Sequence, residues 1–80
     1  MMRYLGRKVV SHGTERNPKV KHDYYFIVIN SRGRNPTAYD VLVFVEHPEN
    51  DPPPYSVAHK NDVADLSEAI RIGRKLARTA

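Results

Sequence analysis

The sequence predicts a small α+β fold, an antiparallel sheet of three to four strands with one C-terminal α-helix packed on one face. Three observations carry this. Residues 24–29, "YYFIVI", are apolar at every position, so both faces of this strand seek cover and it belongs at the centre of the sheet. Residues 38–46 alternate with a period of two, and residues 62–78 repeat apolar positions with a helical period behind an acidic cap.

Residues 1–23 form a basic segment expected to be partly mobile. Tyr4 to Val10, with Lys and Arg interspersed, reads as a weaker strand; Ser11 to Asp23 contains Gly13 and Pro18 without apolar periodicity, and reads as a mobile connection or a loose hairpin turn. In the central strand Tyr24, Phe26 and Val28 share one face while Tyr25, Ile27 and Ile29 share the other. In the next strand Tyr39, Val41, Val43 and Val45 make a clean apolar face, against a mixed one of Ala38, Asp40, Leu42, Phe44 and Glu46. Between them "NSRGRNPT" concentrates turn chemistry, with Gly33 free to take positive φ and Pro36 fixing its own, so residues 24–46 are expected to form an antiparallel β-hairpin. Residues 47–55 hold four prolines and cannot sustain a ladder, which makes them an extended loop before a short strand around residues 55–59.

The helix is expected over residues 62–78. In "DLSE" Asp65 can accept from the backbone N–H near Glu68 while Glu68 reaches back, a capping box with Asp in the Ser or Thr position, and Asp62 can open an additional turn. Leu66, Ala69, Ile70, Gly73, Leu76 and Ala77 fall on one side, with Ile72 at its margin. Gly73 sits in the middle of that stripe, where close approach to a strand explains a residue that weakens the helix by about 1 kcal/mol relative to Ala. Arg71, Arg74, Lys75 and Arg78 line the opposite side. Such cations also complement the negative end of the helix dipole, which is a structural reason for them beside any ligand.

Charge is segregated along the chain. Residues 1–34 carry eight Lys or Arg against two acids, residues 35–70 carry seven acids against Lys60 alone, and residues 71–80 carry four cations and no acid. These blocks either neutralise one another across the fold or meet a charged partner. The chain has 80 residues, enough for one domain and one core, and no cysteine, which excludes disulfides, thiolate zinc sites and thiol catalysis. A reducing, cytoplasmic setting is compatible with that. The longest apolar run, Tyr24 to Ile29, is too short to span a bilayer, so a soluble, unprocessed chain with no membrane partner is expected. His12, His22, His47 and His59 are scattered, the serines stand in no nucleophile setting, and the four glycines form no phosphate-cradling loop. The expectation is therefore a non-enzymatic protein without metal or cofactor.

Within the turn, "GRNP" (Gly33 to Pro36) resembles the arm tip of the HU-class histone-like proteins, in which a basic β-hairpin enters the minor groove and its proline wedges between base steps. The resemblance covers four to six residues. The departures are large: that family opens with helices, whereas residues 1–23 here read as strand and loop, and the strands flanking this turn are apolar rather than basic.

Two functions are expected on different surfaces. The first is a protein-interaction or assembly role, in which Tyr25, Ile27 and Ile29 form the interface, because the helix covers only one face of the sheet; an N-terminal segment, a partner protein or a second copy must cover the other, and a homodimer is the simplest solution. The alternative is binding of DNA or RNA through Arg32 and Arg34 at the hairpin tip with Arg71, Arg74, Lys75 and Arg78 on the helix, helped by Lys8, Arg16, Lys19 and Lys21.

Overall fold

The structure, a computed structural model, describes residues 2–31 and 38–80. Five strands, β1 (Arg3–Tyr4), β2 (Arg7–Asn17), β3 (His22–Asn30), β4 (Tyr39–Phe44) and β5 (Ala58–Val63), pair in chain order into one sheet, and α1 (Leu66–Thr79) packs across it. Every pairing is antiparallel. The hairpin predicted over residues 24–46 is present, with Tyr25 opposite Phe44 and Asn30 opposite Tyr39.

The sheet has five strands rather than three to four, because residues 4–10 are not one strand. The chain reverses at Leu5 and Gly6, whose φ angles are 50° and 79°. Two successive positive φ values make the tight turn whose twist suits a hairpin. Leucine takes this conformation at a cost of roughly 1–2 kcal/mol, so its side chain gives no warning of a turn. β2 then continues through residues 11–17. A register shift between Val9 and Ser11 places Val9 in the core on one face and Val10 against the core on the other. Beyond β1 this strand has a partner on one side only among the described residues, which is why it lacks an apolar period.

On the helical face, Tyr24, Phe26, Val28, Val41, Val43 and Val63 meet Ala69 and Ala77, flanked by Leu66, Ile70, Ile72 and Leu76. The helical period read from the sequence is thus the packing stripe. On the other face Ile27, Ile29 and Phe44 are fully buried beneath Tyr4 and Val9, with Met2 packed alongside. The N-terminal segment supplies the missing cover. Each large apolar side chain buried in this way stabilises the fold by roughly 1.5–3 kcal/mol. Tyr4 stacks at a tilt on Phe44, centroids 5.0 Å apart, and its hydroxyl donates to the Pro54 carbonyl at 2.9 Å, tying the first hairpin to the proline-rich loop.

Two boundaries differ from expectation. β5 begins at Ala58, after residues 55–57 have continued the extended loop. The helix begins at Leu66, because Asp62 lies within β5 at φ 57° and its N–H donates to Asp40 Oδ1 at 3.1 Å. Asp65 does cap it, Oδ2 accepting from the Glu68 N–H at 3.1 Å. Glu68 turns forward to Arg71 instead of back, so half of the capping box forms.

Candidate nucleic-acid interface

The small side chains of Ala69, Gly73 and Ala77 set α1 down on the sheet, and this fixes which side faces out. Arg71, Arg74, Lys75 and Arg78 are all exposed in one row, as the period predicts. Their partners differ. Arg71 Nε donates to Glu68 Oε2 at 3.1 Å and its terminal nitrogen bonds the second carboxylate oxygen. That hydrogen bond, with the Arg71 charge, holds Glu68 below the usual carboxylate range against residual burial and the neighbouring Asp65, and in turn raises Arg71. Arg78 Nε lies 3.9 Å from Glu15 Oε1 on β2. Arg74 and Lys75 enter no ion pair among the described residues.

The turn between β2 and β3 extends this row past the end of the helix. Asn17, fully buried, donates through Nδ2 to the Ala77 carbonyl at 3.1 Å and the Ala80 carbonyl at 2.7 Å, while its Oδ1 accepts from the Lys19 N–H at 3.0 Å. One side chain therefore satisfies the last turn of the helix and holds the strand turn. Lys19 Nζ reaches the Thr79 carbonyl at 3.3 Å, so a cation from the basic N-terminal block stands beside those of the helix. Arg16, paired at 3.9 Å with Asp23, and Lys21, at φ 54°, flank the same turn. Asn17 was missed in the sequence; the only hint was a polar residue next to Pro18.

Arg32 and Arg34 lie outside the described residues. The strand ends that lead to them, Asn30 and Tyr39, are at the opposite end of β3 from His22, which pairs with Asn17. At about 3.3 Å per residue these ends are roughly 26 Å apart. Acids at the Asn30 end are engaged: Asp40 Oδ2 accepts from Arg7 at 3.3 Å, and Ser31 Oγ donates to Asp62 Oδ1 at 2.9 Å. The exposed acids Glu46, Glu49 and Asp51 follow β4 in the loop that Tyr4 and Tyr25 hold on the face away from α1.

Of the expected protein interface, Ile27 and Ile29 have no exposed surface, because the N-terminal segment covers them. Only Tyr25 is partly exposed, edge-on to His47 at 5.2 Å. This face is inner core, and the apolar reason for a homodimer there is gone. The proline-rich loop forms an exposed groove of about 390 Å³ lined by Val45, Glu46, Pro52, Pro53, Pro54 and Tyr55. Tyr55 is 94% exposed. Among the described residues no group of three His, Asp or Glu is placed to hold a metal ion, and no helix is long and apolar enough to cross a membrane. The chain matches no protein-family model, no curated protein and no solved structure.

Proposed function

We propose that this protein is a non-enzymatic nucleic-acid-binding protein that meets the sugar-phosphate backbone with the outward side of α1 and the adjoining β2–β3 turn. One observation carries the reading: Arg71, Arg74, Lys75 and Arg78 stand in a single exposed row continued by Lys19, and Arg74 and Lys75 have no acidic partner among the described residues. Cations that already serve one another's acids gain little from a phosphate, whereas unpaired ones release counterions on contact.

The test is fluorescence anisotropy with short labelled DNA and RNA at two salt concentrations. Four phosphate contacts predict an affinity loss of about 50- to 150-fold between roughly 50 and 200 mM salt. Arg74→Glu with Lys75→Glu should weaken binding and flatten the slope of log K against log salt. Binding that is absent at the lower salt, or unchanged in the double variant, refutes the reading. A second reading, a protein partner at the groove beside Pro52 to Pro54, is favoured by the exposure of Tyr55.

A further inference from the structure

The two flanks of α1 differ in the charges they present. Toward β2 the helix faces Glu15, which stands by Arg78 and lines the same depression as Arg74. Toward β5 it faces Lys60. There α1 and β5 leave a cleft of about 330 Å³, with Lys60 on one wall, Arg71 and Lys75 on the other, and the half-buried side chains of Ile72 and Leu76 between them. Glu68 also lines the cleft, but its carboxylate is held by Arg71. Neither Lys60 nor Lys75 enters an ion pair among the described residues. The β5 flank therefore offers a phosphate chain two cations outside any ion pair among the described residues, Lys60 and Lys75, whereas Arg78 on the β2 flank already stands by Glu15.

The cleft is at the lower end of small-ligand pockets, which run from roughly 300 to 1,000 Å³. Its floor of two side chains, Ile72 and Leu76, offers room for one strand. A duplex would instead have to take the crest of α1 into its major groove, about 12 Å wide, where Arg74 and Arg78 would lead. An apolar floor between cationic walls suits a single strand, whose phosphates meet the walls while sugar or base faces cover Ile72 and Leu76. β5 is the last strand of the sheet, so its outer edge leaves backbone donors and acceptors unmatched by any described strand beside this path. Backbone groups able to bond a flexible strand thus stand on the same flank as Lys60 and Lys75.

We propose that the cleft between β5 and α1 is a track for single-stranded nucleic acid, with Lys60 and Lys75 clamping its backbone from opposite walls. This rests on the nucleic-acid reading and deepens it. The experiment measures anisotropy of the full chain with oligo-dT, oligo-rU and a mixed-sequence duplex of equal length, for the wild type, Lys60→Glu and Arg78→Glu. Both substituted side chains are exposed, so both variants should fold, which circular dichroism checks. Expected are tighter binding of the single strands than of the duplex, a loss of about tenfold in Lys60→Glu, and a smaller loss in Arg78→Glu. Equal affinity for dT and rU identifies the shared sugar-phosphate chain as the ligand, and preference for rU identifies recognition of the 2′-hydroxyl; either supports the track. Duplex binding as tight as or tighter than single-strand binding, with Lys60→Glu unaffected, overturns the track and leaves the nucleic-acid reading standing. Absence of binding to all three overturns both.

Discussion

Gly73 lets α1 settle against the ring of Phe26: a β-carbon at this glycine would stand 2.6 Å from Phe26 Cδ2. The far side of the ring lies against Gly13 on β2, where an added β-carbon would stand 2.7 Å from Cε1. Phe26 is thus held between two glycines, one from the helix and one from the neighbouring strand, and is 2% exposed.

Gly73→Ala should therefore destabilise the protein although it improves the helix. The propensity gain is about 1 kcal/mol, and overpacking costs about 1–3 kcal/mol, so a net loss of up to about 2 kcal/mol is expected. Urea unfolding of the variant measures it. Combining it with Phe26→Leu should cost less than the two single changes added together, because the smaller side chain leaves room for the methyl. A raised urea midpoint in Gly73→Ala would show that the ring yields freely.

Asn17→Ala should cost about 2–3 kcal/mol, since it strips bonds from the carbonyls of Ala77 and Ala80 and from the Lys19 N–H. Asn17→Asp should be more informative. A carboxylate there would face two carbonyl oxygens in a buried site, so its folded pKa would rise above the unfolded value and the neutral acid would be the form the fold accepts. The stability it contributes is then present below the unfolded pKa of about 3.9 and is lost as pH rises through the folded pKa. Melting temperatures of Asn17→Asp minus those of the wild type should therefore climb as pH is lowered from neutrality; a difference that stays flat would place the side chain in water.

Tyr4 should ionise above the ordinary tyrosine range, raised first by burial and then by the charge of Tyr55. With a raised folded pKa, its contribution is intact below the unfolded value of about 10 and disappears as pH climbs through the folded one. Tyr4→Phe should cost about 0.5–1.5 kcal/mol at neutral pH by removing the bond to Pro54, and should remove this part of the alkaline loss of stability. Ultraviolet titration of tyrosinate and melts at alkaline pH check both; one tyrosine fewer titrating within the ordinary range in the variant would contradict the assignment.

Ile27→Asp distinguishes core from interface. Ile27 is fully exposed to packing and not at all to solvent, so a charge there should abolish the folded circular dichroism at every protein concentration. A folded monomer released from an oligomer would instead mean that this position is an interface.

The parts of the fold written in local chemistry were legible in the sequence. Asp65 capped its helix, the helical period became its packing stripe, the two-faced apolar strand became β3, and Gly73 met a strand residue. What escaped depended on residues distant in the chain. Leu5 turns because Tyr4 is anchored to Phe44 and Pro54, and nothing in leucine itself announces a reversal. β2 and β5 are held by one neighbour each along much of their length, so their outward residues obey no apolar rule. The same split holds for the candidate site. The row Arg71, Arg74, Lys75 and Arg78 follows from 100° steps, whereas Lys60 joins it only because β5 passes beside α1.

Because every strand pairs with its immediate successor, the sheet can zip up hairpin by hairpin, the longest connection being residues 45–57. Asn17 breaks that locality, for its acceptors at Ala77 and Ala80 lie some sixty positions downstream. A nascent chain that has made the sheet but not the helix therefore leaves the Asn17 amide without protein carbonyls and one whole apolar face, from Phe26 to Val43, open to other chains. Truncation before residue 66 should consequently yield aggregates rather than a smaller folded sheet, which makes the final helix the step that closes the core.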